Sequence, residues 1–190
     1  MTHLLHLDAS ARPGRRGIDP HGSHTRALSH RFIARWRAAR PHDPVRYRDL
    51  GAAPPRLVDH DWIRAEFTPR NRREPWMIER LAESDAMVDE VIGSDLLVIG
   101  APLYNFGMPA PLTAWIDAIV RIGRTVVFDP SREDDPYVPL LADRGRRILR
   151  VHLGKDVSAG LAKLRGLVQK AYIQISRAAD TKVSVISAPT

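Results

Sequence analysis

The chain of 190 residues contains no cysteine, which excludes disulfide bonds, thiolate metal sites and a cysteine nucleophile. It has no apolar stretch near the roughly 20 residues that a membrane span needs, and its first residues lack the basic start of a secretory signal. We therefore expect a cytoplasmic protein that does not span a membrane. Lysine is scarce, because only the residues at 155, 163, 170 and 182 are lysine among 29 basic residues. The 4 tryptophans all precede residue 116, so the composition changes near residue 150.

The formal net charge of +7 raises the question of a nucleic-acid partner. The arginines are scattered, and their densest cluster, Arg70-Asn71-Arg72-Arg73, directly precedes a predicted helix. We interpret the charge as a solvated surface and expect no nucleic-acid partner. A functional basic cluster would attract a phosphorylated cofactor as readily as a nucleic acid.

Hydrophobic patterning predicts strands that alternate with helices along the chain. Apolar or alternating runs predict strands over residues 3–8, 45–49, 95–100, 147–151 and 182–186. Helical periodicity predicts helices from about residue 23 to Pro41, over 73–92, from Pro109 or Pro111 to Gly123, and over 157–177. Residues 51–69 are predicted to be a surface loop, and residues 126–141 a long loop or a short hairpin.

This alternation predicts an α/β fold with a doubly wound, parallel, five-stranded sheet between two layers of helices. Because no segment is long enough to be a linker, we expect one domain over residues 1–190. Ligands of such sheets bind at the carboxyl ends of the strands, where the strand order reverses. The loops that follow the first strand and the third strand are therefore the candidate site.

The first loop carries hydroxyl groups and ends at a predicted helix start. Ser10 lies in the loop, and Ser23, His24 and Thr25 begin the helix. Backbone N–H groups, hydroxyls and the positive end of a helix together bind phosphate. The glycine pattern of a dinucleotide fold and the Walker motif are both absent, so a monophosphate fits better than a pyrophosphate. The alternative is that Ser23 is only the helix N-cap.

The second loop follows the third strand directly and has an unusual composition. It spans residues 101–109 and contains two aromatic residues, Tyr104 and Phe106, the amide Asn105, and two prolines. A planar ligand would use aromatic faces for stacking and backbone N–H groups that proline holds rigid. The alternative is an ordered surface turn without a ligand.

The sequence shows no persuasive acid–base pair, and we expect no metal site. The histidines do not have HExxH spacing. His3 and His6 lie in the first predicted strand, where packing or hydrogen bonding is favoured over metal ligation. Asp59-His60-Asp61 lies in a proline-flanked loop, and we do not interpret it as a metal cluster.

Both candidate loops resemble those of one enzyme family. The matching stretches are LLHLDAS (4–10), SHTRALSHRF (23–32), VRYRDL (45–50), APLYNFGMPAPLTAWID (101–117), IGRTVVFD (122–129) and LLADR (140–144). The chain resembles the FMN-dependent NADH:quinone oxidoreductases and azoreductases, which have a flavodoxin-like fold. The resemblance covers roughly residues 3 to 145, and the LYNF loop is its most specific part.

The resemblance implies a cofactor, a reaction and an assembly. Ser10, Ser23 and Thr25 would hold the FMN phosphate, and His24 would contribute backbone contacts. The isoalloxazine ring would lie along five consecutive residues, Pro102, Leu103, Tyr104, Asn105 and Phe106. Members of the family are homodimers, and they pass electrons from NADH or NADPH through FMN to a quinone or azo compound in a ping-pong cycle. The bound cofactor carries that chemistry, so no protein nucleophile or metal is needed.

Two regions depart from the family pattern. Residues 12–22 form an insertion in the first loop, which would either disturb the phosphate site or bulge outward. After the fourth strand the family has a Ser-Arg-Gly-Gly-like turn that closes over the flavin, but this chain has RVHLGK (150–155), in which only Gly154 corresponds to the turn. Residues 146–190 thus form a divergent tail that completes the sheet. The alternative to a flavoenzyme is a non-catalytic flavodoxin-like protein, an FMN binder or assembly partner that lost turnover through this tail.

Overall fold

The computed structural model describes residues 1–105, 107–132 and 136–141, together with the backbone of three later strands. The elements follow one another as strand β1 (Leu4–Asp8), helix α1 (His24–Ala39), strand β2 (Val45–Asp49), helix α2 (His60–Phe67), helix α3 (Pro75–Ile92), strand β3 (Leu96–Gly100), helix α4 (Ala110–Ile119), strands β4 (Val126–Phe128) and β5 (Tyr137–Pro139), and strands β6 (Arg147–Val151), β7 (Tyr172–Ile175) and β8 (Val185–Ile186).

Six strands form the main sheet, in the order β2-β1-β3-β6-β7-β8. The first five are parallel to their neighbours, and only β8 runs antiparallel. Strand β1 lies between β2 and β3, so the chain winds outward from β1 in both directions. The carboxyl ends of β1 and β3 are therefore the place where the strand order reverses, as the sequence predicts.

Strands β1 and β3 are buried on both faces, which explains why they read as continuous apolar runs. On one face, Leu5, Leu7, Leu97 and Ile99 belong to a core shared with helices α3 and α4. On the other face, Leu4, Leu96 and Val98 pack with Ile33 of helix α1. Helices thus cover both faces of the sheet, which confirms the predicted three-layer architecture.

The last part of the sheet corrects the prediction. A single helix over residues 157–177 is wrong at Tyr172–Ile175, which form the fifth parallel strand. The alternation of aromatic or β-branched residues with a polar one in this segment, YIQI, is typical of a strand. Residues 157–171 lie outside the described residues. The strand predicted over 182–186 is present only as Val185–Ile186, a sixth and antiparallel strand, rather than as the fifth parallel one.

Residues 51–69, predicted to be a surface loop, contain helix α2. Asp59 caps this helix, because its carboxylate accepts a hydrogen bond from the backbone N–H of Trp62 at 2.8 Å. Trp62 and Ala65 then pack on Met77 and Leu81 of helix α3 in a separate apolar cluster. Asp59 therefore has a structural role as a cap.

The hairpin that the sequence allowed within residues 126–141 is present as β4 and β5. It leaves large side chains in contact with solvent: Phe128 is 49% exposed and Tyr137 is 48% exposed. Their rings contact each other with centroids 5.5 Å apart. In the described part of the chain, no helix has the length and hydrophobicity that crossing a membrane requires.

Candidate functional site

The two candidate loops leave the sheet side by side. Asp8 at the end of β1 is in register with Gly100 at the end of β3. The backbone N–H of Ala9 donates to the carbonyl of Gly100 at 2.9 Å, so the two chains stay paired as the loops begin. The loops meet again further on, where the backbone N–H of Ala11 donates to the Tyr104 hydroxyl at 3.0 Å. The structure therefore brings both predicted loops together at one edge.

Ser10 and Tyr104 form part of this junction. Their hydroxyl oxygens are 3.5 Å apart, and Ser10 also accepts a hydrogen bond from the backbone N–H of Arg12 at 3.2 Å. Ser10 is buried, whereas Tyr104 is 38% exposed. The Tyr104 hydroxyl thus fastens the second loop to the first, and one side of its ring is left in contact with solvent.

The first turn of helix α1 has the features of an anion site. Ser23 is the N-cap, and its hydroxyl accepts from the N–H of Arg26 at 3.3 Å while lying 3.0 Å from the Thr25 hydroxyl. The first backbone N–H groups of a helix have no partner within it. Ser23 supplies acceptors to Arg26 and Ala27. This leaves the N–H groups of His24 and Thr25 without a partner among the described residues.

Arg26 holds the first loop in place from below. Its guanidinium is 3% exposed and forms a bidentate pair with Asp49, with both N–O distances at 2.6 Å. It also donates to the carbonyl of Ser10 at 2.8 Å and to that of Arg12 at 2.8 Å. One side chain of α1 therefore fixes the loop after β1 and ties it to the end of β2.

The electrostatics of this network keep its charges in place. Burial alone raises the pKa of the Asp49 carboxyl, but the hydrogen bonds from Arg26 and from the backbone N–H groups of Gly51 and Ala52 outweigh it, so the pKa lies below its usual value. Burial lowers the pKa of the Arg26 guanidinium, but Asp49 and Asp8 outweigh it and raise that pKa overall. Both groups therefore remain ionised across the neutral range.

Asp8 is a second carboxylate beneath the same loop, and it is fully buried. The Ser29 hydroxyl donates to it at 2.8 Å and the Tyr47 hydroxyl at 3.2 Å. Burial raises its pKa, but His6, Ser29 and Arg26 together lower the pKa to below the usual value. Gly100 leaves the room for this carboxylate, since a Cβ there would lie 2.3 Å from Asp8 Oδ1.

The insertion over residues 12–22 bulges outward. Nearly all of it is exposed, and its base is closed where the N–H of Ser23 donates to the carbonyl of Gly14 at 2.7 Å. Asp19 orders the tip by accepting from the N–H of Arg15 at 2.6 Å. Of the two outcomes that the sequence left open, the structure shows the outward bulge, with the helix start intact.

The second loop is a tight turn with one strained residue. Tyr104 and Gly107 exchange backbone hydrogen bonds of 3.1 and 2.9 Å. Between them, Asn105 has a φ of 48°, in the left-handed region that asparagine tolerates better than most residues. Asn105 is exposed, and Pro102 and Leu103 are half-buried. Phe106 and Gly154 lie outside the described residues.

Sequence reasoning found the two loops but missed the residues that support them, namely Arg26, Asp8 and Asp49. A signal was available, because Asp8 and Asp49 each end a strand that was predicted to be internal or adjacent to the site. Two carboxylates at neighbouring strand ends require a cation close by. Arg26, directly after the Ser-His-Thr turn, was the arginine placed to supply it.

Comparison with known proteins gives a consistent family assignment. The family model described as flavodoxin-like fold matches residues 2–156. The chain is 46% identical over 144 residues to FMN-dependent NADH:quinone oxidoreductase 2 of Idiomarina loihiensis, a match that covers 76% of this chain and 60% of that protein. It is 39% identical over 151 residues to the protein of the same name from Colwellia psychrerythraea, covering 80% of this chain and 68% of that one.

A solved structure agrees in fold. An azoreductase from Bacillus anthracis superposes with a TM-score of 0.73 and 22% identity, over 93% of this chain and 87% of that one. The chain thus spans about three fifths of the length of the first of these relatives. Because the family model matches far more than half of its residues, the chain belongs to the flavodoxin-like fold family.

Proposed function

We propose that this chain is an FMN-dependent oxidoreductase that passes electrons from NADH or NADPH to quinones and azo compounds in a ping-pong cycle. The observation that carries the proposal is the junction of a helix start with free N–H groups and an aromatic turn at the strand-order reversal. The relatives support it, since they are named FMN-dependent NADH:quinone oxidoreductases.

The residues at this edge suit a phosphorylated, planar cofactor. The N–H groups of His24 and Thr25, with the Ser23 and Thr25 hydroxyls, would hold the phosphate at the positive end of helix α1. Ser10, whose hydroxyl faces the same junction, would complete that contact. The loop with Tyr104 and Asn105 would lie along the isoalloxazine ring, with Pro102, Leu103 and Phe106 beside it and Gly154 closing over it.

When bound, FMN supplies the hydride-accepting and electron-donating chemistry of the reaction. The chain supplies position. Arg26 fixes the carbonyls of Ser10 and Arg12, so the loop around the phosphate is set before the cofactor binds. The Tyr104 hydroxyl fixes the second loop against the first, which sets the distance between the phosphate end and the ring end of the site.

We also propose that the chain works as a homodimer in the cytoplasm. The β4–β5 hairpin supports the dimer, because it exposes Phe128 and Tyr137 next to each other and adds the 39% exposed Val127. An exposed apolar patch of this kind is typical of a surface that another chain covers. Sedimentation of the purified chain measures the state directly: a monomer that binds FMN fully would contradict the dimer but not the cofactor.

The spectrum of the purified chain tests the cofactor and the reaction separately. We expect a yellow protein with a flavin band near ~450 nm that bleaches on addition of NADH, as a bound redox flavin does. Protein that stays colourless and takes up no added FMN would contradict the proposal. A yellow protein that NADH does not bleach would instead support the non-catalytic alternative. Salt-sensitive DNA binding without flavin would indicate a nucleic-acid partner.

Substitutions at Tyr104 test the placement of the ring. Tyr104→Ala removes the aromatic face and the hydroxyl, whereas Tyr104→Phe removes only the hydroxyl that contacts Ala11. We expect alanine to weaken FMN binding and slow NADH oxidation more than phenylalanine does. If Tyr104→Ala and Asn105→Ala both leave FMN affinity and NADH oxidation unchanged, the ring does not lie along this loop.

A further inference from the structure

Three potential metal ligands lie together on the α1 side of the sheet, beneath the first loop. His6 and Asp8 are two residues apart on β1, so their side chains point to the same face. His30 on helix α1 reaches down to them. Its Nε2 is 3.3 Å from Asp8 Oδ2, and the Nε2 of His6 is 3.5 Å from Asp8 Oδ1. One ligand atom from each residue lies within 4.8 Å of the other two.

These separations suit a zinc ion. Zinc binds histidine nitrogen and carboxylate oxygen at about 2.0–2.2 Å, so two ligands on a tetrahedral ion lie about 3.3–3.6 Å apart. The two measured histidine–carboxylate separations fall in that range before any side chain moves. Two imidazoles and one carboxylate, with a fourth position open to solvent, form a donor set that zinc accepts in proteins.

The second observation is an unsatisfied atom. The Nε2 of His6 is buried and has no hydrogen-bond partner among the described residues, although the residue is only 2% exposed. Buried polar atoms of this kind are rare and usually have a partner. Here the atom points toward Asp8 and lacks a bond to it, as a ligand to an ion between them would.

The carboxylate is held from behind, as a metal ligand generally is. The hydroxyls of Ser29 and Tyr47 donate to the two oxygens of Asp8, and each oxygen keeps lone pairs for another contact. The nearest competing cation is Arg26, 3.8 Å from Asp8, and its charge is matched by the shorter pair with Asp49. Burial, the largest influence, helps to lower the pKa of His30, which favours the neutral imidazole that metals bind.

Access to the cluster comes through His30. Its side chain is 35% exposed, and it lines a cleft of about 420 Å³ between α1 and the insertion. The same cleft is lined by His24 and by Arg15 and Arg16 of the insertion. An ion, and the water that completes its coordination, can therefore reach the cluster from solvent.

We propose that His6, Asp8 and His30 bind one Zn²⁺ ion that links strand β1 to helix α1. The site contrasts with the sequence interpretation of His6 as a packing residue, because His30 contributes from 24 positions away and only the fold brings it near. Since α1 begins with the residues proposed to hold phosphate, the ion would also stiffen that helix start from below.

Titration of the metal-stripped chain with Zn²⁺ tests this site. We expect calorimetry to show one high-affinity ion per chain, and Co²⁺ in its place to give the visible bands of a tetrahedral site. His30→Ala is the informative variant, because His30 is partly exposed and its loss leaves the core intact. It should weaken Zn²⁺ binding at least tenfold and abolish the rise in Tm that Zn²⁺ gives the unchanged chain.

His60→Ala is the matched control, since His60 is an exposed histidine on α2. It should leave both the affinity and the Tm rise unchanged. Absence of stoichiometric binding, or equal affinity in the His30→Ala variant, would overturn the proposal and indicate surface binding by the other histidines. Neither result depends on FMN, because the titration is run on the FMN-free chain.

Discussion

The two loops of the candidate site stand at the same edge of the sheet but are built in opposite ways. The loop after β1 rests on buried charges: Arg26, 3% exposed, pairs with Asp49 and donates to two carbonyls of the loop. The loop after β3 is held locally, by two backbone hydrogen bonds across a turn whose tip residue, Asn105, has a positive φ. Only the first depends on residues far away along the chain.

This difference separates two demands on the site. A phosphate needs several donors fixed around one point, and a buried network fixes them at the cost of desolvating its own charges. A planar ring needs a surface to lie on, and a short turn with exposed aromatic and amide groups provides one without a buried framework. We therefore expect the first loop to be sensitive to substitutions far from the ligand, and the second only to substitutions within the turn.

The largest expected effect comes from removing the cation beneath the first loop. Arg26→Met keeps the length of the side chain but leaves Asp8 and Asp49 without their partner, which should cost about 3–5 kcal/mol of unfolding free energy. Urea unfolding followed by circular dichroism measures the loss. Arg48→Met is the control, since Arg48 pairs with Glu90 at 2.8 Å in a more exposed position. Equal losses in the two variants would show that the network has no special role.

Two glycines, one for each loop, give the next largest contrast. A Cβ at Gly100 would lie 2.3 Å from Asp8 Oδ1 and 3.2 Å from Ser29 Oγ, so Gly100→Ala should destabilise the fold by about 1–3 kcal/mol. A Cβ at Gly107 meets nothing closer than 3.7 Å, so Gly107→Ala should change stability by less than about 0.5 kcal/mol. The same unfolding measurement decides it, and a larger loss at Gly107 would reverse the contrast.

The smallest effect is expected at the tip of the second loop. Because Asn105 has a φ of 48°, Asn105→Ala should cost about 1 kcal/mol, whereas Asn105→Gly should be neutral or stabilising. Thermal unfolding of the two variants compares them directly. A more stable alanine variant than glycine variant would mean that the turn does not hold the left-handed conformation in solution.

The sequence predicted the parts of the fold that follow from local patterning. The first three parallel strands read as apolar or alternating runs, and the start of α1 follows from Ser23 as N-cap. The prediction failed at Tyr172–Ile175, because a segment rich in apolar residues fits a helical period and a strand period equally well. It also missed α2, whose position is set by Trp62 packing on Met77 and Leu81 of another helix.

The site was predictable to the same degree. Ser10, Ser23, Thr25 and Tyr104 were found because hydroxyls and aromatics are unusual at strand ends, and the structure brings Ser10 to Tyr104 and Ser23 to Thr25. Whether they bind FMN stays a prediction. Arg26 was not found, because its partners lie 14 to 23 positions away and only the pairing of β1 with β2 places them around it.

The affinity for FMN compared with that for riboflavin, which lacks the phosphate, tests the central claim most directly. Fluorescence titration should show FMN binding at least ~100-fold more tightly, since two charge-assisted hydrogen bonds of about 1.5 kcal/mol each suffice for that ratio. Thr25→Val should weaken FMN at least tenfold and leave riboflavin unchanged, because Thr25 would contact only the phosphate. Equal affinities for the two flavins, or equal effects of Thr25→Val on both, would contradict a phosphate site at the start of helix α1.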